Sequence, residues 1–331
     1  MKARELYNLQ DFDNGVAKTG LGRKTMATAT AERQANQTPT YLKAPPGFTR
    51  EQWQFFEQEG YLLIEDAIPP HDVRRYIDAT NRIAAEHLRQ KPGKAFTPWS
   101  GIAHLDPVFT ELIDHPRHVG FAYDLYGELL KLHNSQAFIR PPGKSETRWH
   151  NDGARAVPYA VYAPLLPLQL KVAYWLTDLP HPRMGNLVVY PGSHRSQRFD
   201  AYTKPLSLEG ELPVCVRAGT MMLIHCGLFH TVMDNESDVT RYNLFYTYCP
   251  SWVCEADRLC CDEAWLKSLT REQRIVMRSY RNPYDRTKPP ADDFPLYLDR
   301  ETGLDHDPDA DLEVPLGIRK RRVKVEEWLE A

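Results

Sequence analysis

The stretch Gln169-Leu170-Lys171-Val172-Ala173-Tyr174-Trp175 decides the fold class, because it is one of several short strand-like segments that follow one another closely. Apolar residues dominate it, and its pattern is typical of a strand with at least one buried face. Similar segments, punctuated by Pro and Gly, fill the sequence from Gln136 to Pro250 and include Thr220–His225 and Arg241–Tyr246. A block of strands of this size predicts an eight-stranded jelly roll.

Helical patterns flank the block of strands. The segment from Phe48 to Leu132 is mainly helical in its spacing of apolar residues, and Trp252 to Tyr280 is predicted to return to helix. Thr49 followed by Gln52 forms a capping box at the first helix, and Gly60 is placed to end it. Helices followed by a run of strands favour an α+β fold with a mainly β core over an alternating α/β fold.

Length and composition set the domain organisation. The chain has 331 residues, 42% of them hydrophobic, which is enough for a sizeable core. The pattern predicts a polar N-terminal arm over residues 1–46, a jelly-roll domain with flanking helices over residues 47–281, which the motifs below predict to be an oxygenase domain, and a C-terminal tail over residues 282–331 that packs on the domain.

Charge and targeting signals narrow the class of protein. The formal net charge of −3 gives no reason to expect nucleic acid or an anionic membrane as a partner. No apolar run approaches the length of a membrane span, and the start lacks the apolar stretch of a signal peptide. The six cysteines form no C-x-x-C pair, so we expect free core thiols in a reducing compartment. A cytoplasmic protein is the expectation.

The motif His150-Asn151-Asp152 is the strongest chemical signal in the chain. It is followed by His230, 78 residues after Asp152, and by Arg241, 11 residues after His230. Two imidazoles and one carboxylate form the set that holds non-haem Fe(II) on one face and leaves the opposite positions open. Residues i and i+2 of a strand share a face, so His150 and Asp152 are predicted to bind one metal from a single strand.

Arg241 extends this interpretation to a cosubstrate. Its planar guanidinium can bind a carboxylate through two parallel hydrogen bonds. An iron site followed by such an arginine predicts an enzyme that consumes a 2-oxo acid to activate O2. The alternative for Arg241 is a surface arginine of a strand.

Further segments carry a family resemblance. Tyr174-Trp175-Leu176-Thr177-Asp178, the run from Gly185 to Pro191-Gly192-Ser193-His194, Gly219-Thr220 and the stretch His230 to Arg241 occur in an order that resembles the phytanoyl-CoA dioxygenase family of Fe(II)/2-oxoglutarate oxygenases. The resemblance runs from about Phe48 to Pro250. It implies a double-stranded β-helix, the jelly-roll or cupin-like fold, with helices backing one sheet.

The resemblance also implies further site residues. Trp175 matches the position whose ring lies beside the cosubstrate, and Gln136 matches a strand position that approaches it. Lys171 is predicted either to add a second cation for a cosubstrate carboxylate or to meet an acidic substrate. The family often carries a hydroxyl residue two positions after the distal histidine, but here that position is Val232. Asn186 and Asn243 are the candidates to replace this contact.

Two other histidines are predicted to be structural. In the family the motif Pro191-Gly192-Ser193-His194 is a turn at the end of a strand, so His194 is left out of the metal set. His225 ends an apolar strand, and a hydrogen-bonded core histidine is the expected role there.

The predicted activity is that of an Fe(II)- and 2-oxoglutarate-dependent dioxygenase that hydroxylates a C–H bond of a small molecule with O2 and releases succinate and CO2. Desaturation and ring formation stay open, while the carboxylate of Asp152 favours oxygenation over halogenation. The alternatives are a non-catalytic jelly-roll binding protein and a zinc hydrolase with the same three ligands. The expected partner is a small-molecule substrate, selected in part by the loop from Gly153 to Pro167, and a homodimer is left open.

Overall fold

The computed structural model describes residues 42–90, 99–152, 167–195, 207–258 and 260–298. Over these residues the α-helices are α1 Arg50–Glu59, α2 Pro70–Gln90, α3 Pro107–Thr110, α4 Val119–Tyr126, α5 Glu263–Ser268, α6 Arg271–Met277 and α7 Tyr284–Thr287. The strands are β1 Tyr61–Ile64, β2 Trp99–Ser100, β3 Leu130–Arg140, β4 Leu170–Trp175, β5 Leu187–Val189, β6 Leu212–Pro213, β7 Met221–His225, β8 His230–Val232 and β9 Arg241–Pro250.

The strands form two antiparallel sheets. The larger sheet has the order β1-β7-β4-β9-β3-β2, and the smaller sheet has the order β6-β5-β8. Apart from the pairs β2–β3 and β5–β6, neighbouring strands are not consecutive in sequence, as expected of a jelly roll rather than of a sheet built from consecutive hairpins. The architecture is a jelly roll with helices before and after it, which confirms the predicted α+β fold with a mainly β core.

Alternate side chains of the larger sheet enter two different cores. The inner core contains Trp175 of β4, Phe245 of β9 and Val189 of β5, so it lies between the two sheets. The outer core contains Tyr174 of β4 and Tyr76 of α2, so it lies between the larger sheet and the helices. Because side chains alternate along a strand, residues that share the parity of Trp175 and Phe245 face the space between the sheets.

The first helix begins and ends as its sequence predicts. Thr49 accepts a hydrogen bond from the amide of Gln52, and the side chain of Gln52 accepts one from the amide of Thr49. The ring of Phe48 packs edge-on against Trp53 with 5.3 Å between the centroids. Gly60 ends the helix at φ 80°, a backbone conformation that glycine adopts without strain. The chain then enters β1 directly.

The prediction of helix over Trp252 to Tyr280 is wrong about how much of the segment is helical. Two short helices, α5 and α6, occupy only part of this segment. Asp262 caps the amide of Trp265 and Thr270 caps that of Gln273, so each helix has its own start. A second capping residue inside the segment interrupts a continuous helix, because its side chain competes for the backbone amides.

The cysteines are free, but they are not all core residues. Cys226 and Cys249 are buried, and burial raises the pKa of their thiols to about 11 and about 12. Cys215, Cys254 and Cys260 are exposed. The expectation of core thiols is therefore wrong for these three.

Parts of the predicted organisation fall outside the described residues. The arm of residues 1–46 is described only from residue 42, the tail of residues 282–331 only to residue 298, and the loop Gly153 to Pro167 only at its last residue. The proposed division into arm, domain and tail stays a prediction. Among the described helices, none combines the length and apolar character that a membrane crossing needs.

Candidate metal centre

His150 and His230 are brought together by backbone pairing between two segments that are distant in sequence. His230 is the first residue of β8, whose neighbour in the smaller sheet is β5. The amide of His150 donates to the carbonyl of His230 at 3.0 Å, and the reverse bond measures 2.8 Å. This isolated bridge holds the two imidazole rings with 4.2 Å between their centroids.

The prediction that His150 and Asp152 lie on one strand is wrong. Only the bridge at His150 has β character, and Asn151 and Asp152 are in irregular backbone. The carboxylate still reaches the two imidazoles. The distance from Asp152 Oδ1 to His150 Nε2 is 3.8 Å, and that from Asp152 Oδ2 to His230 Nε2 is 3.6 Å.

One ligand atom from each of His150, Asp152 and His230 lies within 4.8 Å of the others. Metal–ligand bonds to nitrogen and oxygen are about 2.0–2.2 Å long, so three atoms at this separation can surround one divalent ion. The side chains of His150 and Asp152 are each 24% exposed, whereas that of His230 is 7% exposed. The three ligands therefore meet at a site that is open on one side.

The backbone fixes the tautomers of both imidazoles. His150 Nδ1 lies 2.7 Å from the carbonyl oxygen of Arg148, and His230 Nδ1 lies 2.9 Å from that of Leu228. A carbonyl oxygen only accepts, so Nδ1 donates in each ring. When neutral, each ring then presents the lone pair of Nε2 toward Asp152, as a metal ligand requires.

Electrostatics favour the ligand forms of these groups. Burial lowers the pKa of His230 to about 4, although the neighbouring carboxylate of Asp152 opposes this shift, so the imidazole is neutral near pH 7. Burial alone would raise the pKa of Asp152. The positive charge of Lys171, with a contribution from His230, outweighs burial and holds that pKa below its usual range. Asp152 is therefore ionised.

Lys171 lies beside the metal ligands. Its ammonium forms an ion pair with Asp152 Oδ2, and its Nζ lies 5.2 Å from the centre of the Phe245 ring. The predicted strand position is confirmed, since Lys171 and Trp175 both lie on β4 and share a parity. The ammonium therefore lies at the end of the space between the sheets where the three candidate ligands meet, called here the metal end.

Arg241 begins β9 and is buried, with 2% of its surface exposed. It donates a hydrogen bond from Nη1 to the carbonyl of Gly185, while its Nε has no partner among the described residues. Its guanidinium carbon lies 5.4 Å from the centre of the Trp175 ring. No described carboxylate forms an ion pair with it, so a buried positive charge is left to meet an anionic ligand.

Other buried polar atoms near Arg241 also lack partners. Asn243, fully buried on β9, has no hydrogen bond on either amide atom, and Trp175 Nε1 has none among the described residues. Asn186 is not available in this way, because its amide contacts the amide of Met184 and the carbonyl of Val214. Of the two asparagines considered for the cosubstrate, only Asn243 is free to make that contact.

Gln136 shares the inner face but lies farther along the sheet. It is opposite Phe245, whereas Arg241 is opposite Arg140, four residues further along β3. Its amide nitrogen lies 3.4 Å from Ser100 Oγ. The structure therefore does not bring Gln136 to the level of Arg241.

Arg140 is a residue that sequence reasoning missed. It is the register partner of Arg241 in the antiparallel pair of β3 and β9. Its Nε is buried without a partner among the described residues, and burial lowers its pKa. The signal was present in the alternation of β3, since Arg140 has the same parity as Gln136.

His194 and His225 are both outside the metal cluster, as expected. His194 Nε2 lies 2.9 Å from the carbonyl of Glu57, and His225 Nδ1 accepts from the amide of Gly227 at 2.9 Å. The two rings are neighbours, with 4.7 Å between their centroids. They connect the end of α1 with β7.

Comparison with known proteins identifies a matching family model and several relatives. The family model described as phytanoyl-CoA dioxygenase matches residues 56–243. An ectoine dioxygenase of Nocardia farcinica is 24% identical over 240 residues, which cover 60% of this chain and 76% of the relative. An ectoine dioxygenase of Bordetella bronchiseptica is 24% identical over 239 residues, covering 62% and 77%.

Solved structures share the fold. HygX from Streptomyces hygroscopicus, crystallised with nickel and 2-oxoglutarate, has a TM-score of 0.54 at 19% identity and covers 63% of this chain and 90% of its own. EctD from S. alaskensis, crystallised with 2-oxoglutarate and 5-hydroxyectoine, has a TM-score of 0.50 at 21% identity, covering 66% and 86%. At these identities the likeness shows the fold of the chain.

Proposed function

Because the chain belongs to the phytanoyl-CoA dioxygenase family and is an iron- and 2-oxoglutarate-dependent dioxygenase, we propose that it hydroxylates a C–H bond of a small molecule, with His150, Asp152 and His230 as iron ligands. The observation that carries this proposal is the convergence of the three ligand atoms within 4.8 Å. The overall reaction converts substrate, 2-oxoglutarate and O2 into hydroxylated substrate, succinate and CO2.

The ligand set fits the metal by its chemistry. Two neutral imidazoles and one carboxylate suit Fe(II) and leave positions for a chelating 2-oxo acid and O2. When bound, iron supplies the centre at which O2 oxidises both the 2-oxo acid and the substrate. Asp152 lends one negative charge to this centre, and the carbonyls of Arg148 and Leu228 keep each imidazole in the tautomer that can bind.

The unpaired groups around Arg241 fit 2-oxoglutarate. Its remote carboxylate would receive hydrogen bonds from Arg241, with Arg140 as a second cation opposite it on β3. The indole of Trp175 would flank the carbon chain, because it lies under the guanidinium. Asn243, whose two amide atoms lack partners among the described residues, could contact the same ligand. A zinc hydrolase would give this pair of arginines no evident role.

Ectoine is the first substrate to test, because the relatives at 24% identity are ectoine dioxygenases. Purified protein would be supplied with Fe(II), 2-oxoglutarate and O2, and succinate would be measured with and without ectoine or other small molecules. We expect succinate release that depends on Fe(II) and is stimulated by a substrate. His230→Ala should abolish it, whereas His181→Ala, a change at an exposed histidine, should not. Succinate release that survives His230→Ala would contradict the proposal.

A further inference from the structure

A polar row crosses the inner face of the larger sheet at the metal end. Thr247 of β9 lies opposite Asn134 of β3 on one side and opposite Lys171 of β4 on the other. On their strands Thr247 shares the parity of Phe245, Lys171 that of Ala173 and Asn134 that of Phe138, and these three apolar residues form or contact the inner core. Their side chains therefore face the same space as the metal ligands.

Two members of this row have unsatisfied polar atoms. Thr247 is 2% exposed, and its hydroxyl has no hydrogen-bond partner among the described residues. Asn134 Oδ1 is buried and likewise without a partner in the described part of the chain. Buried polar atoms are nearly always paired in folded proteins, so these atoms point to a ligand that completes them.

Lys171 provides the charge of this row. Its ammonium contacts Asp152, so it is beside the metal rather than at the Arg241 end of β9. The remote carboxylate of a chelated 2-oxoglutarate is separated from the metal-binding atoms by two methylene groups and extends away from them. Under the proposed function, Arg241 and Arg140 bind that carboxylate. Lys171 is thus available to a second ligand.

The described site residues carry an excess of positive charge that another anion could balance. Lys171, Arg140 and Arg241 are cations, and Asp152 is the one described carboxylate that pairs with any of them. A divalent metal ion and a 2-oxoglutarate dianion cancel each other, so the cations outnumber the carboxylate by two. Excess positive charge in a partly buried space is unfavourable unless a ligand balances it.

We propose that the substrate carries a carboxylate, which binds the ammonium of Lys171 and accepts a hydrogen bond from the Thr247 hydroxyl. Asn134 Oδ1 then accepts a hydrogen bond from a neighbouring N–H or O–H group of the substrate. This rests on the proposed function, because it assigns the substrate class of the same site. Lys171 then selects the substrate by charge, and the acceptor Asn134 Oδ1 requires a donor on it.

The test uses the anaerobic protein loaded with Fe(II) and 2-oxoglutarate, whose weak visible charge-transfer band responds to a molecule that binds beside the metal. A broad panel of small amino and hydroxy acids, ectoine and proline included, is titrated, each acid next to its own carboxamide. Acids should perturb the band and their carboxamides should bind at least about tenfold more weakly, as expected for loss of a charged contact.

Three variants assign the contact. Lys171→Met should weaken acid binding by about tenfold or more and Thr247→Val by a few-fold, while 2-oxoglutarate affinity changes less than about threefold. Lys267→Met, at an exposed lysine of α5, is the matched control and should change neither affinity. If Lys171→Met weakens 2-oxoglutarate instead, Lys171 serves the cosubstrate and the inference is overturned.

The outcomes separate this inference from the proposed function. If the wild-type protein forms no charge-transfer band, the proposed function fails. If the band forms but no acid perturbs it, or if acids and carboxamides bind equally well, the proposed function stands and the carboxylate inference is overturned.

Discussion

Arg140 and Arg241 lie directly opposite each other on β3 and β9, and neither forms an ion pair with a described carboxylate. Each has a buried Nε without a hydrogen-bond partner in the described residues. Two neighbouring cations repel one another, and burial, with a contribution from the positive charge of Arg140, lowers the pKa of the Arg241 guanidinium. Under the proposed function, the remote carboxylate of 2-oxoglutarate would balance this pair of charges.

Arg241→Ala should raise the apparent KM for 2-oxoglutarate by roughly two orders of magnitude, because a buried carboxylate loses a charged partner worth a few kcal/mol. Iron binding should persist, since Arg241 is not a ligand. Steady-state kinetics with varied 2-oxoglutarate, together with iron content, measure both. Arg217→Ala, at an exposed arginine, is the matched control. An unchanged KM would show that another cation holds the cosubstrate.

Arg140→Met should stabilise the protein in the absence of 2-oxoglutarate, because removing one of two facing cations outweighs the loss of the contact between the Arg140 guanidinium and the Phe138 ring. A gain of about 1 kcal/mol would raise the melting temperature by about 2–4 °C. In saturating 2-oxoglutarate the wild type should have the higher melting temperature, since it binds the ligand more tightly and is stabilised more by it. Melting curves with and without 2-oxoglutarate test this; a variant that is less stable in both conditions would contradict it.

Asp152→Gly should abolish oxygenase activity through loss of iron rather than through misfolding. Asp152 is in irregular backbone and is not part of either core, so its removal leaves the packing intact. Asp152→Glu should also be poor, because the longer side chain displaces the carboxylate in a site that tolerates little misplacement. Iron content, thermal stability and turnover are measured side by side. Full substrate oxidation by Asp152→Gly would refute the ligand assignment.

Buried histidines predict that stability falls as the pH is lowered. Burial lowers the pKa of His133 and His194 to about 4 each. The unfolded chain then binds more protons than the folded chain between about pH 6.5 and pH 4. In that window the free energy of unfolding should decrease with falling pH by up to about 1.4 kcal/mol per pH unit for each such histidine. Urea unfolding at pH 7, 6 and 5 measures the slope; a flat profile would mean that these rings are solvated.

The three candidate metal ligands and Arg241 could be singled out from the sequence because their residue types and spacing are visible along one chain. Their mutual geometry could not. His150 meets His230 through a backbone bridge between segments that lie far apart, and Asp152 reaches them from irregular backbone rather than from a strand. Local alternation cannot show which distant segments pair.

The same limit explains why Arg140 was missed and why Lys171 stayed ambiguous. Alternation placed Lys171 on the inner face, but only the register with Thr247 and the contact with Asp152 place it at the metal end. The strands of the smaller sheet have two or three residues each. Segments this short carry too little periodicity to be recognised, and pairing with neighbours stabilises them instead.

Iron and 2-oxoglutarate binding by the ligand triad is the central claim, and anaerobic spectroscopy tests it most directly. Wild-type protein given Fe(II) and then 2-oxoglutarate should develop the weak visible charge-transfer band of the chelate, at one equivalent of iron per chain. His150→Ala and His230→Ala should each lose the band, while His181→Ala keeps it. A band that persists at full intensity in both ligand variants would contradict the account.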